Sequence, residues 1–331
     1  MSLSREWLER RQIALYLAAI LLAILQGLTL PIHAPSSQAI SLALALMLYA
    51  TFLQLPLGEL GRALRHPRFL AALLLTQFLV IPLLLTLLLP LLPDQPLLRL
   101  GILLVLLTPC IDYVVPFAQL GRADVRPLLA ATPLLLMLQM VLLPLDLHLF
   151  LGAQAAQHIQ PAPFITAFLQ LVVLPLCLAA LTQTLCRRSR RGQAIAHGLA
   201  LLPVPSCALV LWVVVASMLT HLEAAADAAL QAAADAALQS MPIYLLFAAV
   251  APLSGWGMAR LWRLDAPQGR AIAFSAATRN SLVVLPLALA IPGALPLLPA
   301  VIVSQTLVEL LSELVYIRLI ARLGRRAGVD D

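Results

Sequence analysis

The sequence predicts an all-α integral membrane protein of ten transmembrane helices, arranged as two inverted five-helix repeats. Three observations carry this reading. Of 331 residues, 62% are hydrophobic and 11% charged, with a mean hydropathy of +0.98; a soluble domain is nearer 45–50% apolar and about 25% charged. Ten apolar runs approach the roughly 20 residues that cross a hydrocarbon core of about 30 Å. The arginines gather in alternate gaps between those runs. A β-barrel would show short alternating segments instead.

The first run, 13–30, follows "SREWLERRQ" and ends in "LPIHAPSS". It is longer than the 7–15-residue core of a secretory signal, so it reads as a retained helix. The following runs are 37–57, 69–91, 97–119, 125–149, 162–184, 195–219, 239–261, 270–291 and 296–320. Before the eighth, "AAADAALQ" occurs twice in tandem, at 224–231 and 232–239. Its alanine content favours helix, and it reads as the extension of a span. The whole chain, 1–331, reads as one transmembrane transporter domain.

All 21 basic residues are arginine. Nineteen lie in alternate gaps: Arg5, Arg10 and Arg11; Arg62, Arg65 and Arg68; Arg122 and Arg126; Arg187, Arg188, Arg190 and Arg191; Arg260, Arg263 and Arg270; Arg318, Arg322, Arg325 and Arg326. The opposite gaps hold only Arg99. This positive-inside asymmetry places both termini in the cytoplasm, in a cell inner (plasma) membrane, and requires an even number of spans. The net charge of +6 therefore reports orientation, and nucleic acid is not an expected partner.

Two sets of five spans, inverted because five is odd, make spans 4 and 9 equivalent. Span 4 holds "TPCIDYVVPF" and span 9 "AATRNSLVVLPL", each a polar cluster followed by Val-Val and a proline. Interrupted helices at matching positions of two halves mark a transporter's central site. Pro109 and Pro116 each remove a helix hydrogen bond, which reads as a kink or as an opened backbone lining a cavity.

Three ionisable groups sit deep. Counting helical rise from flanking arginines places Asp112 about 15 Å deep and Arg279 and Glu309 about 13 Å deep. A charge at that depth costs roughly 2.5–3.5 kcal/mol, so the three should cluster inward. Asp112 and Arg279 read as a structural ion pair or as part of a working site; Glu309 reads as a carboxylate bonded to polar neighbours or as a coupling group. Together they sum to −1, and burial disfavours a net negative charge unless it takes up a proton or cation. Glu313, one turn further along, is expected at the interface. Cys110 is either a small buried hydrophobe or a soft ligand whose thiolate Arg279 would favour. Gln77, Asn280 and Ser281 add uncharged polar atoms.

The four cysteines, Cys110, Cys177, Cys186 and Cys207, form no CxxC pair, so neither a disulfide framework nor a zinc site is expected. There is no phosphate loop, no nucleophile–His–acid set and no metal-spaced histidines; His33, His66, His148, His158, His197 and His221 lie mostly at span ends. An enzyme is not expected, nor a cofactor, and transport should draw on an ion gradient.

The chain resembles the bile acid:sodium symporter superfamily, and within it the arsenical-resistance arsenite permeases. The resemblance rests on "TQFLVIPLL" in span 3, "TPC" and "LGRAD" in span 4, "FSAATRNS" in span 9 and "TLVELLSELV" in span 10. It implies ten helices in two inverted five-helix repeats, a core of spans 3–5 and 8–10 moving against a panel of spans 1, 2, 6 and 7, and helices 4 and 9 unwound where they cross. It implies that Cys110, after Pro109, engages trivalent arsenic as a metalloid ligand, and that Glu309 is the span 10 acid. Arg279 and Asn280 stand where the permeases have paired asparagines, and Leu282 where they have an acid. Ser275 and Arg279 stand at sodium-ligand positions of the sodium-coupled branch, and a fixed cation there argues against sodium; Gln77 matches a span 3 glutamine of that branch. Asp112 is an acid that neither branch has.

These expectations describe a proton-coupled secondary transporter exporting arsenite or antimonite across the inner membrane. Thr108, Pro109, Cys110, Arg279, Asn280 and Ser281 would bind substrate, and Asp112, Glu309 and Gln77 would couple ion or proton. The alternative is a sodium- or proton-coupled carrier of a small organic anion, with Arg279 as the carboxylate partner. Expected partners are the inorganic oxyanion, metalloid or organic anion, the coupling proton and the lipid bilayer.

Overall fold

Helices account for nearly all the described backbone, as a chain with no water around its peptide groups requires. The computed structural model describes residues 3–29, 37–54, 65–110, 114–156, 169–186, 192, 196, 198–224, 227–289, 291 and 297–324. Asp112 lies outside these residues, as do Arg62, Arg187, Arg188, Arg190, Arg191, Arg325, Arg326, His33, His158 and His197.

Three segments, Pro67–Leu91, Gln231–Leu261 and Leu297–Arg322, are long and apolar enough to cross a membrane; Val125–Gln139 and Val141–Leu151, bent by 52°, make a fourth if they are one span. Ala14–Gly27, Gln38–Gln54, Pro96–Leu106, Leu174–Cys186 and Pro203–Ala216 are shorter apolar helices. Large apolar side chains stay exposed along these helices: Leu79, Leu83 and Leu87 recur every fourth residue, and Leu311, Leu314, Val315 and Leu319 form another such face. Exposed apolar faces of this extent suit lipid.

The chain divides into two compact units. The first comprises Met1–Leu55, Ile159–Asp235 and Leu282–Ala300. In it, α1 (Leu3–Thr29) packs on α9 (Pro203–Ala224), and α2 (Ser37–Gln54) packs on α8 (Leu174–Cys186) and α9. Polar side chains tie α2 to α8: Tyr49 Oη and Thr182 Oγ1 are 2.9 Å apart, and Gln183 Nε2 donates to the carbonyls of Phe52 and Leu53 at 3.2 and 3.1 Å.

The second unit comprises Pro56–His158, Ala236–Ser281 and Val301–Asp331. Span 3 is α3 (Pro67–Leu75), a π-helical turn over Thr76–Val80 and α4 (Ile81–Leu88). Span 4 is broken into α5 (Pro96–Leu106) and α6 (Val114–Leu120), and α7 (Val125–Ala156) follows. The long α10 (Asp227–Leu261) carries the second alanine-rich repeat into span 8 as a continuous helix. The apolar run 270–291 is divided between α11 (Ala266–Ala277), in this unit, and α12 (Ser281–Leu289), which from Leu282 belongs to the first; α13 (Leu297–Leu319) covers the run 296–320 and belongs to this unit from Val301. Within this unit α11 touches α3, the π turn, α6 and α7.

Proline makes only one of the two breaks. Pro109 lacks an N–H and bars Thr108 from helical backbone, so α5 stops. Pro116 was expected to interrupt span 4 as well; residues 111–113, which lead into α6, lie outside the described residues. The break after α11 contains no proline, and Thr278 is extended at φ −96°, ψ 129°.

Two further turns repeat a sequence pattern, "LGRAD" at 120–124 and "LWRLD" at 261–265. Arg122 and Arg263 adopt left-handed backbone, φ 57° and 54°. Ala123 N–H reaches Ala118 O, and Leu264 N–H reaches Ala259 O, at 2.9 and 3.0 Å. This is the Schellman way of closing a helix C-terminus. Asp265 then caps α11 through Gln268 N–H at 3.0 Å. From α11, Arg270 donates to Arg122 O and Leu323 O, both at 3.0 Å.

Candidate functional site

The two breaks meet as a short antiparallel bridge between Pro109 and Arg279. Cys110 N–H donates to Thr278 O at 3.1 Å, and Asn280 N–H donates to Thr108 O at 2.9 Å. The pairing is reciprocal: in Thr108-Pro109-Cys110 and Thr278-Arg279-Asn280, the third residue of each donates to the first of the other. All six are buried.

The freed carbonyls at each helix end find donors. On α5, Leu107 N–H takes Leu103 O, Thr108 N–H takes Val105 O, and Thr108 Oγ1 takes Leu104 O at 2.6 Å. On α11, Thr278 Oγ1 takes Phe274 O, also at 2.6 Å. The remaining carbonyls converge on Arg279. Its Nη2 lies 2.8 Å from Ser275 O, 2.7 Å from Ala276 O and 3.0 Å from Gln77 Oε1, and its Nη1 lies 3.3 Å from Leu106 O. The guanidinium thus caps the negative ends of two half-helices at once. The ring of Phe247, 5.4 Å away, covers it, a cation–π contact. Arg279 is wholly buried.

Gln77 comes from the π turn of span 3. Its Nε2 donates to Ser275 O at 2.7 Å and Ser275 Oγ at 2.8 Å. A π turn widens the helix by one residue and re-aims its side chains.

Glu309 of α13 was expected to cluster with Arg279, and it is bonded to that residue's main chain: Arg279 N–H donates to Oε2 at 2.7 Å. Gln305 Nε2 donates to the same oxygen at 2.5 Å. Ser281 Oγ lies 2.8 Å from Gln305 Oε1 and 3.1 Å from Thr306 Oγ1. The structure thus brings together Gln77, Thr108, Pro109, Cys110, Arg279, Asn280, Ser281 and Glu309; the pairing expected of Asp112 falls outside the described residues.

Glu313 corrects an expectation. It does not reach the interface but is fully buried, with Oε1 2.7 Å from Thr278 Oγ1. Gln305, Glu309 and Glu313 recur every fourth residue on one buried face of α13, and that spacing was a signal available in the sequence. Among the described residues no three of His, Cys, Asp and Glu converge as metal ligands, and Cys110, 1% exposed, stands on the bridge itself.

No curated protein matches the chain. A family model, described as the Sodium Bile acid symporter family, matches residues 41–227, more than half of the 331 residues. That range holds Gln77 and the first break, and ends before α11, Arg279 and α13.

Proposed function

The chain belongs to the sodium bile acid symporter family, and from that premise we propose that it is a proton-coupled secondary transporter exporting arsenite or antimonite. The observation that carries the reading is the place of the Arg279 guanidinium, among Leu106 O, Ser275 O, Ala276 O and Gln77 Oε1. In transporters with broken helices, unwound carbonyls and half-helix C-terminal ends hold the coupling cation. Here a tethered cation fills that position. Coupling then falls to groups that exchange a proton, Glu309 and Asp112. Cys110, held at the bridge by its own N–H, supplies the soft sulfur that trivalent arsenic prefers.

The same reading takes the protein as ten spans in two inverted halves, with both termini cytoplasmic in the plasma membrane. The reciprocal bonding of the two breaks supports the inverted relation. The reading also takes spans 1, 2, 6 and 7 as a panel and spans 3–5 and 8–10 as a core; the first unit holds spans 1, 2, 6 and 7 together with Leu282–Ala300 of spans 9 and 10.

Flux into proteoliposomes tests it. An imposed pH gradient should drive arsenite movement, a sodium gradient should not, and Cys110→Ala should abolish it. Sodium-driven flux, or full flux in Cys110→Ala, would overturn the reading.

The family's description names sodium and bile acid, and this favours a second reading, an organic-anion carrier with Arg279 as carboxylate partner. Arg279→Gln would then stop transport while Cys110→Ala would not. The engagement of both terminal nitrogens with carbonyl and amide oxygens weighs against it.

A further inference from the structure

Thr278 Oγ1 stands between two oxygens, 2.6 Å from Phe274 O and 2.7 Å from Glu313 Oε1. Contacts of that length each need a hydrogen between the atoms. A hydroxyl supplies one, and a carbonyl supplies none. The second hydrogen must come from Glu313.

We propose that Glu313 holds a proton as a neutral carboxylic acid and that it is a further member of the proton-coupling set, beside Glu309 and Asp112. Oε1–H donates to Thr278 Oγ1, and Thr278 donates onward to Phe274 O. A second observation agrees: Oε2 is buried without a hydrogen-bond partner. An ionised carboxylate seeks donors at both oxygens, and a charged oxygen left bare in the interior is far costlier than a neutral one.

Among the described residues no cation is bonded to Glu313. On α13, Glu309 lies one turn away on the same buried face; like charges at i and i+4 repel. The Tyr316 hydroxyl is bonded to Ala248 O of α10, and Tyr244 of α10 lines the same cleft as Glu309 and Tyr316. From the second break, Thr278 is the contact, and the Arg279 side chain donates to Leu106, Gln77, Ser275 and Ala276.

Thr278 carries the coupling. When the proton leaves to water, Glu313 becomes a carboxylate and draws the Thr278 hydroxyl hydrogen to itself. Phe274 O keeps only the main-chain N–H of Thr278, at 3.0 Å. The carbonyl of Thr278 accepts from Cys110 N–H, so one residue links proton occupancy to the crossing of the two breaks. The coupling role rests on the proton-coupled reading above; the presence of the proton does not.

Infrared difference spectra of the full chain in lipid nanodiscs near neutral pH test the site. The C=O stretch of a protonated carboxyl should appear in wild type minus Glu313→Gln, shift in heavy water, and persist in Glu309→Gln. Thr278→Val removes the acceptor and should move the band to higher frequency, while Thr278→Ser should keep it in place. A spectrum unchanged by Glu313→Gln would overturn the proposal. Should that variant not accumulate, a band unmoved in Thr278→Val would overturn it equally. Persistence of the band in a protein whose flux proves sodium-driven would sink the proton-coupled function and leave the proton site standing.

Discussion

The main-chain N–H of Arg279 and the side-chain amide of Gln305 share one acceptor, Oε2 of Glu309. The acid is thereby a backbone partner of the second break as well as a deep charge. Glu309→Gln keeps an acceptor for that N–H and should fold, with proton-driven flux lost. Glu309→Ala leaves a buried N–H unmet and should cost a further 1–3 kcal/mol or so. Thermal unfolding in detergent, alongside flux in vesicles, separates the two effects.

Arg279→Gln removes the tethered cation and leaves two main-chain carbonyls, Leu106 O and Ala276 O, without that donor, at about 1–3 kcal/mol each; Ser275 O keeps Gln77 Nε2. The emptied position should admit sodium. We expect the variant's Tm to rise when sodium chloride replaces choline chloride, as mass action requires of any ligand of the folded state, and the wild-type Tm to be indifferent. Equal sodium response in both proteins would count against the tethered-cation account. Arg279→Lys should not rescue, because an ammonium lacks the planar fork that spans two helix ends.

Two glycines of α10 make a controlled pair. A Cβ on Gly255 would stand 2.8 Å from Ala276 Cβ and 2.9 Å from Ile272 O on α11, whereas one on Gly257 would meet nothing within 4 Å. Gly255→Ala should therefore push α10 off α11 and cost about 1–3 kcal/mol, as overpacking does. Gly257→Ala should be neutral or gain up to about 1 kcal/mol from helix propensity. Unfolding midpoints of the two variants decide it.

Arg263 holds left-handed backbone at φ 54°, which costs a residue with a Cβ about 1–2 kcal/mol. Arg263→Gly should raise stability by up to that amount, while Arg270→Ala, which strips the donors from Arg122 O and Leu323 O, should lower it. Thermal melts of both give opposite signs if the turn geometry is right.

The apolar runs and the break at Pro109 were readable in the sequence because lipid and proline each impose a local rule. Arg279 and Glu309 were visible for the same reason, as charges where charge is costly. Their partners were not visible. Arg279 is satisfied largely by carbonyls, which every residue has, so no sequence pattern marks them. The break after α11 has no proline; its warrant is two side chains, Thr278 and Arg279, that take up the carbonyls of their own helix. Glu313 was misplaced because its burial depends on Thr278, 35 residues away. Asp112 stays a sequence expectation. The membership of the chain in its family was legible in "TQFLVIPLL" and "TPC", which lie within the matched residues 41–227; the cargo was not.

The crossing of the two broken spans is bonded peptide to peptide, through the N–H groups of Cys110 and Asn280 and the carbonyls of Thr278 and Thr108. Peptide groups are common to all residues, so the hinge point makes no demand on the side chains it displays. Cys110 and Asn280 can be exchanged for other chemistry while the knot that presents them stays tied. A crossing tied through main-chain groups tolerates new side chains at these two positions, so sequence can drift there while the frame is inherited intact.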